Sequence, residues 1–313
     1  MTLHKQIKAT IPGTFYMFAG SLDSQTSADI SDVDTFELPD PNGKAGGACT
    51  SALLQTLYRD GGDEQIQYTW SETLEIMTEK IEDIGLTQRP QLSSSRPINV
   101  DELICIVPPE CTGTKRALLV GINYVGDPHA LSGCQNDVRN MKNFLINVHG
   151  FERENMLILL DDKRHHFPTK KLILDGFRKL AEISQPGDCI FIQFSGHGSQ
   201  MQDRSNEEKD GFDETLIPYD FREAGPIVDD EIYSYFVTQV QAGVHVVAVI
   251  DCCHSGTALD LPYIFTPGDS EIHFNEGFRM PLIEKVRGKK DKKKKKKSTK
   301  KKKKMEEQDE KDE

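Results

Sequence analysis

The sequence predicts an α/β fold: a three-layer sandwich in which a mostly parallel central sheet carries helices on both faces. Two observations predict it. Between residues 115 and 265, short apolar runs alternate with amphipathic stretches whose apolar residues recur every three or four positions. The apolar runs are nearly continuous, as is typical of parallel strands that are covered on both faces.

The strands and helices of this region follow from the residues that start and stop them. The predicted strands are residues 116–123, 156–160, 189–194 and 244–250. The predicted helices are residues 135–150, 168–183 and 229–240. Gly150 ends the first helix, and Pro168 is favoured in the first turn of the second. Acidic residues open the third helix, where the positive end of the helix dipole favours them.

The first hundred residues repeat the same pattern more weakly. A strand is predicted over residues 13–20, helices over 48–58 and 70–85, and a short closing strand over 88–95. Residues 103–107 are apolar enough for an edge strand, although the Ser and Pro residues around them are typical of a connector. The predicted organisation is a first segment (1–94), a linker (95–114), a second segment (115–284) and a tail (285–313).

The charge of the chain is divided unevenly. The 313 residues carry a formal net charge of -12, yet residues 285–304 alone hold fifteen Lys or Arg. Residues 1–284 hold 22 basic and 43 acidic side chains, a net charge of -21. Such a body repels nucleic acid and attracts cations, either metal ions or the Lys and Arg side chains of a protein substrate. We therefore expect no stable nucleic-acid partner.

The Lys-rich tail has no apolar periodicity and its like charges repel, so it is predicted to be disordered. Three roles remain open for it. The first is a solvated run of charge, and the second is a nuclear-import signal or a contact with an anionic surface. The third is a segment that the acidic body itself binds or cleaves.

Cysteine usage and hydropathy indicate a soluble intracellular protein. The seven Cys residues are odd in number and have no framework spacing, which favours a reducing compartment over a disulfide scaffold. The sequence contains no apolar run of the roughly 18 residues that a membrane-spanning helix needs. The predicted location is the cytoplasm, with the nucleus open through the Lys-rich tail.

Two reactive side chains follow predicted strands. His197 comes after the strand 189–194, and Cys253 comes after the strand 244–250. In open parallel sheets, active sites lie beyond the carboxyl ends of the strands, so both side chains are expected at the same edge. A free Cys, with a pKa near ~8.5, needs a neighbouring base to act as a thiolate nucleophile, and His197 is the predicted base. His254, directly after the nucleophile, remains the alternative base.

The motifs around these residues resemble a known family. SGHG (195–198) and DCCHSGTALDLP (251–262) together resemble the metacaspases, relatives of the caspases. The resemblance implies a caspase-like fold and an acyl-enzyme mechanism with Cys253 as nucleophile and His197 as base. It also implies an oxyanion hole made by the backbone N–H groups of Gly198 and Cys253. The implied protein is a cysteine endopeptidase that acts as a monomer.

The order of the segments resembles one class of that family. AGSLDSQTSADIS (19–31) and GKAGGACTSALLQTLY (43–58) resemble the small-subunit segment, which follows the large subunit in most metacaspases. Here it comes first, as in the type III metacaspases. The resemblance implies that residues 1–94 are small-subunit-like and that residues 115–284 are the large-subunit-like catalytic segment. Both are expected to pair into one sheet, because a permutation moves the chain ends and need not change the contacts.

The residues near the nucleophile indicate a preference for basic substrates. Caspases that prefer Asp use an Arg in the specificity pocket, and the DCCHSG motif contains none. By resemblance to the metacaspases, Asp137 and Asp251 are the pocket carboxylates, and Cys134 and Ser195 complete the lining. Two carboxylates in a partly desolvated cleft favour the guanidinium of Arg or the ammonium of Lys. Alternatively, Asp137 caps the start of a helix and Asp251 caps a turn.

A second acidic group is distributed over three loops. By resemblance, Asp213, Asp229, Asp230 and Asp260 match the calcium ligands of metacaspases. Carboxylates gathered in this way repel one another without a cation, and Ca²⁺ accepts about six to eight oxygens in flexible geometry. The resemblance therefore implies calcium dependence. The alternative is a solvated acidic loop.

Two other classes of function remain open. One is a catalytically silent caspase-like scaffold that binds calcium and partners. The other is a polybasic anchor for nucleic acid or anionic membranes, in which the tail dominates. The presence of both His197 and Cys253 argues against the first, and the acidic body argues against the second.

Overall fold

A computed structural model describes residues 3–20, 29–30, 46–58, 66–202, 211–275 and 278. The Lys-rich tail and most of the 19–31 motif lie outside the described residues. The strands are β1 (Thr14–Ala19), β2 (Asp29–Ile30), β3 (Gly46–Gly47), β4 (Gln91–Ser94), β5 (Lys115–Gly121), β6 (Met156–Leu160), β7 (Cys189–Ser195), β8 (Gly198–Gln202), β9 (Phe212–Leu216), β10 (Ile227–Val228), β11 (His245–Asp251), β12 (Tyr263–Phe265) and β13 (His273–Phe274). The helices are α1 (Leu3–Thr10), α2 (Ala48–Leu57), α3 (Trp70–Asp83), α4 (Cys134–Asn147), α5 (Lys170–Ile183), α6 (Phe221–Ala224) and α7 (Asp229–Ile232).

Eight strands form the central sheet, in the order β13-β12-β4-β1-β11-β7-β5-β6. The five strands from β1 to β6 in this order run parallel, and β4, β12 and β13 continue the sheet with antiparallel pairing. Strand β1 of the first segment lies directly beside β11 of the second, with Ala19 opposite Ile250. The two segments therefore share one sheet. The prediction of an α/β sandwich around a mostly parallel sheet is confirmed.

Each central strand contributes to two hydrophobic cores, because successive side chains point to opposite faces. In β5, Ala117 and Leu119 belong to one core, while Leu118 and Val120 belong to the other. Helices α2, α3 and α4 cover the first face, and α5 and α7 cover the second. Double coverage explains why the strand sequences are continuously apolar rather than alternating.

Two predicted elements differ from the structure. Residues 103–107 form no strand, and only an isolated bridge joins Leu103 to Thr69. The carbonyl of Ile106 accepts instead from the Cys189 thiol, at 3.5 Å, so its polar group is satisfied without a strand partner. The predicted helix 229–240 is shorter and changes form, with α7 followed directly by a π-helix, Tyr233–Val237.

A second, three-stranded sheet in the order β10-β9-β8 lies next to the end of β7 in the chain. Strand β8 begins at Gly198, three residues after β7 ends at Ser195, and pairs antiparallel with β9. This small sheet therefore continues directly from the segment that carries His197.

Among the described helices, none is long and apolar enough to cross a membrane. The segment boundaries at residues 94, 114 and 284 stay predictions.

Candidate active site

The ends of β7 and β11 lie side by side and bring two reactive loops together. The strands are parallel and in register, with Asp251 opposite Ser195. The backbone N–H of Gly196 donates to the carbonyl of Asp251 at 3.4 Å. His197 follows one strand by two residues, and Cys253 follows the other by two. The structure therefore places both at the carboxyl edge of the sheet, where α/β proteins gather reactive groups.

Gly198 lies directly against the nucleophile loop. A Cβ atom built on Gly198 would be 2.0 Å from the carbonyl oxygen of Cys253 and 2.8 Å from the Sγ atom of Cys252. No side chain fits in that space, so this approach of two backbones requires glycine. The loop of His197 and the loop of Cys253 are consequently in van der Waals contact at the residue that follows the predicted base.

The imidazole of His197 is oriented by a neighbouring loop. Its Nε2 atom lies 2.7 Å from the carbonyl oxygen of His129. A carbonyl oxygen can only accept, so in the neutral ring Nε2 carries the proton and the Nδ1 lone pair remains to accept one. This tautomer leaves Nδ1 as the basic atom, as the predicted role of His197 as general base requires.

Tyr124 contacts the loop that carries His197 and was not among the residues that the sequence indicated. Its hydroxyl donates to the carbonyl of Ile217 at 2.7 Å and accepts from the backbone N–H of His197 at 2.9 Å. Its ring packs on the imidazole with 4.7 Å between centroids. The backbone φ of Tyr124 is 52°, a left-handed conformation that is unusual for a bulky residue. Asp161 holds this turn, because its carboxylate accepts the N–H groups of Asn123 and Val125.

We expect Tyr124→Phe to lower kcat about 10-fold while KM for a peptide substrate changes less than about 3-fold. The change removes the hydroxyl from both the His197 N–H and the Ile217 carbonyl, which loosens the base and leaves the binding pocket intact. Steady-state kinetics on a fluorogenic peptide measure the split. Tyr235→Phe, at an exposed tyrosine on the π-helix, is the matched control. An unchanged kcat would show that the hydroxyl does not position His197.

Asp137 and Asp251 converge on the start of α2, which belongs to the first segment. The backbone N–H of Gly47 donates to both carboxylate oxygens of Asp137, at 2.9 and 3.0 Å. The N–H of Thr50 donates to Asp251 Oδ2 at 2.7 Å. Gly47 is the N-cap of α2 and has no side chain to accept a hydrogen bond, so a carboxylate from the other segment caps the helix. Both acids are buried, at 2% and 5% exposure.

Both carboxylates lie against Gly47. A Cβ atom on Gly47 would lie 2.3 Å from Asp251 Oδ2 and 3.0 Å from Asp137 Oδ2. The buried thiol of Cys49 adjoins the same pair, and burial followed by the charges of Asp251 and Asp137 raises its pKa. Gly47, Cys49 and Thr50 are site residues that the sequence did not indicate. The GGACT sequence (46–50), at the start of a predicted helix, was the available signal, since a helix N-terminus attracts carboxylates.

The other two predicted pocket residues adjoin this group. Cys134 begins α4 and stands one helical turn before Asp137. Ser195 lies opposite Gly121 of β5, and a Cβ atom on Gly121 would be 2.5 Å from the carbonyl of Cys134. Cys134 and Ser195 are both buried. The structure thus gathers all four predicted pocket residues at the edge of the sheet that also carries the reactive loops.

Three of the four predicted calcium ligands form a tight cluster. Asp229, Asp230 and Asp260 each offer a carboxylate oxygen, and these oxygens lie within 4.8 Å of one another. Burial raises the pKa of Asp229 to about 10, and the nearby charges of Asp260 and Glu214 add to the effect. Asp213, the fourth predicted ligand, lies on β9 next to Glu214 in the chain. This crowding of carboxylates fits the donor set of a hard divalent cation.

A buried hydroxyl lies next to the cluster. The Oη atom of Tyr233 has no hydrogen-bond partner among the residues that the structure describes. Burial raises the pKa of Tyr233, and the charges of Asp260 and Asp230 raise it further. The residues present therefore fit an oxygen-liganded metal ion.

Comparison with known proteins gives four findings. The family model described as "Metacaspase, peptidase C14 domain" matches residues 115–262. "Metacaspase III c" of Phaeodactylum tricornutum is 47% identical over 277 residues, covering 87% of this chain and 81% of that protein. "Metacaspase-1B" of Aspergillus clavatus is 50% identical over 159 residues, covering 50% of this chain and 39% of that protein. A crystal structure of a protein from Geobacter sulfurreducens covers 47% of this chain and 53% of its own, with a TM-score of 0.38 and 32% identity.

The matches cover the residues that carry the site. The range 115–262 of the family model contains both His197 and Cys253. The match to the Phaeodactylum protein extends over 87% of this chain, well beyond that range. At 47% identity and 81% coverage of the relative, the match establishes common family membership. The chain belongs to the metacaspases, with the segment order of type III, and is a cysteine-type peptidase.

Proposed function

We propose that this peptidase depends on calcium and cleaves peptide bonds after Arg or Lys. The observation that carries the specificity is the pair of buried carboxylates, Asp137 and Asp251, that flank Gly47 at the edge of the sheet. Asp251 stands two residues before Cys253 in the chain, so the pocket and the nucleophile belong to one continuous segment. A substrate side chain entering beside the nucleophile therefore meets negative charge.

The chemistry of this pair favours a cation over an acidic or neutral side chain. Each carboxylate accepts a backbone N–H group, which stabilises but does not neutralise its charge. In a partly desolvated pocket, an Arg guanidinium can bind carboxylates through paired hydrogen bonds, and a Lys ammonium can bind them as a point charge. An Asp side chain would be repelled.

The catalytic steps follow from the positions of the two loops. His197 takes the thiol proton of Cys253 on Nδ1, while Nε2 keeps its proton and its hydrogen bond to the His129 carbonyl. The thiolate attacks the scissile carbonyl, and the backbone N–H groups of Gly198 and Cys253 would stabilise the developing oxyanion. His197 then protonates the leaving amine, and water attacks the acyl-enzyme with His197 again as base.

Calcium dependence is supported by the acidic cluster. Asp229, Asp230 and Asp260 would hold the ion, with Asp213 as the fourth ligand from β9. When bound, the ion supplies positive charge that offsets the repulsion among the carboxylates and orders the loops that bear them. Asp260 comes seven residues after Cys253, so ordering of this loop acts on the nucleophile segment.

The test is hydrolysis of fluorogenic peptides that end in Arg, Lys or Asp, with calcium or with a calcium chelator. We expect cleavage after Arg or Lys, only with calcium, and none after Asp. Asp251→Asn is expected to lower kcat/KM for the basic substrates about 10- to 100-fold, because it removes half of the pocket charge. Asp175→Asn, at a partly exposed carboxylate on α5, is the matched control and should leave kcat/KM unchanged.

Three outcomes would contradict the proposal in different ways. Cleavage after Asp would refute the specificity, and equal activity with the chelator would refute calcium dependence. No cleavage of any peptide would favour the catalytically silent scaffold. The monomeric state, the cytoplasmic location and the role of the Lys-rich tail stay predictions, and the tail lies outside the described residues.

A further inference from the structure

Glu214 is a buried carboxylate on β9, the middle strand of the three-stranded sheet, and the proposed mechanism assigns it no role. It lies opposite Gln200 of β8 and is 3% exposed. A buried carboxylate is costly unless hydrogen-bond donors surround it. The identity of its donors therefore indicates which parts of the protein it holds in place.

The side chain of Glu214 joins the two catalytic loops. Its Oε2 atom accepts from the Thr257 hydroxyl at 2.7 Å, and its Oε1 atom accepts from the Gln200 amide at 3.2 Å. Thr257 stands four residues after Cys253, and Gln200 stands three residues after His197. One carboxylate thus ties the segment that follows the nucleophile to the segment that follows the base.

The backbone of Glu214 joins the same residue to the acidic cluster. Its N–H donates to Asp229 Oδ2 at 2.8 Å. At Thr257, the other residue of the bridge, the backbone carbonyl accepts from the N–H of Asp260 at 2.7 Å. Two members of the cluster, Asp229 and Asp260, are therefore each one hydrogen bond from the bridge between Glu214 and Thr257.

We propose that Glu214 is a positioning residue that couples the acidic cluster to the loops of Cys253 and His197. One carboxylate oxygen of Glu214 accepts from the Cys253 loop and the other accepts from the His197 loop. A shift of Asp229 or Asp260 is therefore transmitted to both loops through this one side chain. Glu214 binds neither substrate nor the reacting atoms. The calcium part of this inference rests on the proposed function, whereas the bridge between the two loops does not.

Three variants test the bridge on the full-length chain. Thr257→Val keeps the side-chain shape and removes the hydroxyl donor. Glu214→Gln keeps the size, but its amide nitrogen cannot accept, so one of the two hydrogen bonds is lost. Glu214→Ala loses both. Glu182→Gln, at an exposed glutamate of α5, is the matched control, and thermal melting confirms that each variant is folded.

The expected result is a loss in kcat that additional calcium does not restore. At saturating calcium, Thr257→Val and Glu214→Gln should lower kcat about 10- to 100-fold, with KM changed less than about 3-fold. Glu214→Ala should lose more than Glu214→Gln. Because the bridge is shared, Thr257→Val added to Glu214→Ala should cause almost no further loss. Calcium binding is measured by calorimetric titration in a Cys253→Ala background. Glu214→Gln should still bind calcium, whereas Asp260→Asn should not.

Several results would overturn the inference. If higher calcium returns kcat of Glu214→Gln to the wild-type value, Glu214 serves metal binding only. If kcat is unchanged in Thr257→Val and Glu214→Gln, or if the losses are additive, there is no bridge. Should the wild type prove active without calcium, the proposed calcium dependence fails. The bridge is then decided by the kcat values and their non-additivity alone.

Discussion

Cys253→Ala is expected to lower kcat/KM by about 10³-fold or more, because no other group can supply the thiolate that forms the acyl-enzyme. Hydrolysis of an Arg or Lys peptide, followed to long times at high enzyme concentration, measures the residual rate. The folded state should persist, since Cys253 is only partly buried and loses a single sulfur atom. Thermal melting of the variant checks that point.

The adjacent cysteine provides the matched control. Cys252 is fully buried beneath Gly198, and burial raises its pKa well above the ordinary value, so it remains a neutral thiol. Cys252→Ala should retain kcat/KM within about 10-fold and cost about 1 kcal/mol of stability through the lost packing. Inactivation by Cys252→Ala together with activity in Cys253→Ala would reverse the assignment of the nucleophile.

Gly198→Ala has the second-largest expected effect, a loss of about 10²- to 10³-fold in kcat. The added Cβ would lie 2.0 Å from the Cys253 carbonyl, so the two catalytic loops must move apart by more than an ångström. A displacement of this size between nucleophile and base costs about 10²-fold in rate, and loss of an oxyanion-hole donor would add to it. Steady-state kinetics on the same peptide measure the loss.

Ser199→Ala, at the next residue on β8, is the control for Gly198→Ala. Ser199 is exposed, and its hydroxyl makes a weak contact, at 3.5 Å, with the Gln200 carbonyl. It should leave kcat unchanged. A fully active Gly198→Ala would mean that the loops accommodate the methyl group without moving the reacting atoms. The close approach at Gly198 would then have no catalytic consequence.

Local patterns predicted the regular elements of the second segment closely. The strand 156–160 has the predicted bounds. The strand before His197 ends one residue later than predicted, and the strand before Cys253 begins and ends one residue later. Buried parallel strands are continuous apolar runs, so their limits are visible in composition alone. Residues 103–107 were ambiguous for the same reason. Ile104 and Ile106 pack in the core from an irregular segment, and the Ile106 carbonyl accepts from the Cys189 thiol.

The sequence by itself determined the α/β fold, the strand-end positions of His197 and Cys253, and the acidic residues that were candidates for a pocket and a metal site. These features follow from local periodicity, from the rule that parallel strands share one functional edge, and from motifs of contiguous residues.

Only the tertiary structure decided which groups these residues meet. The helix start at Gly47 reaches Asp137 across 90 residues, and Thr50 reaches Asp251 across 201. Glu214 reaches Thr257 across 43. Contacts between such distant residues depend on how whole segments pack, and no local pattern encodes them. The physical reason is that hydrogen-bond partners of buried groups are set by the fold, while propensity and periodicity act over a few residues.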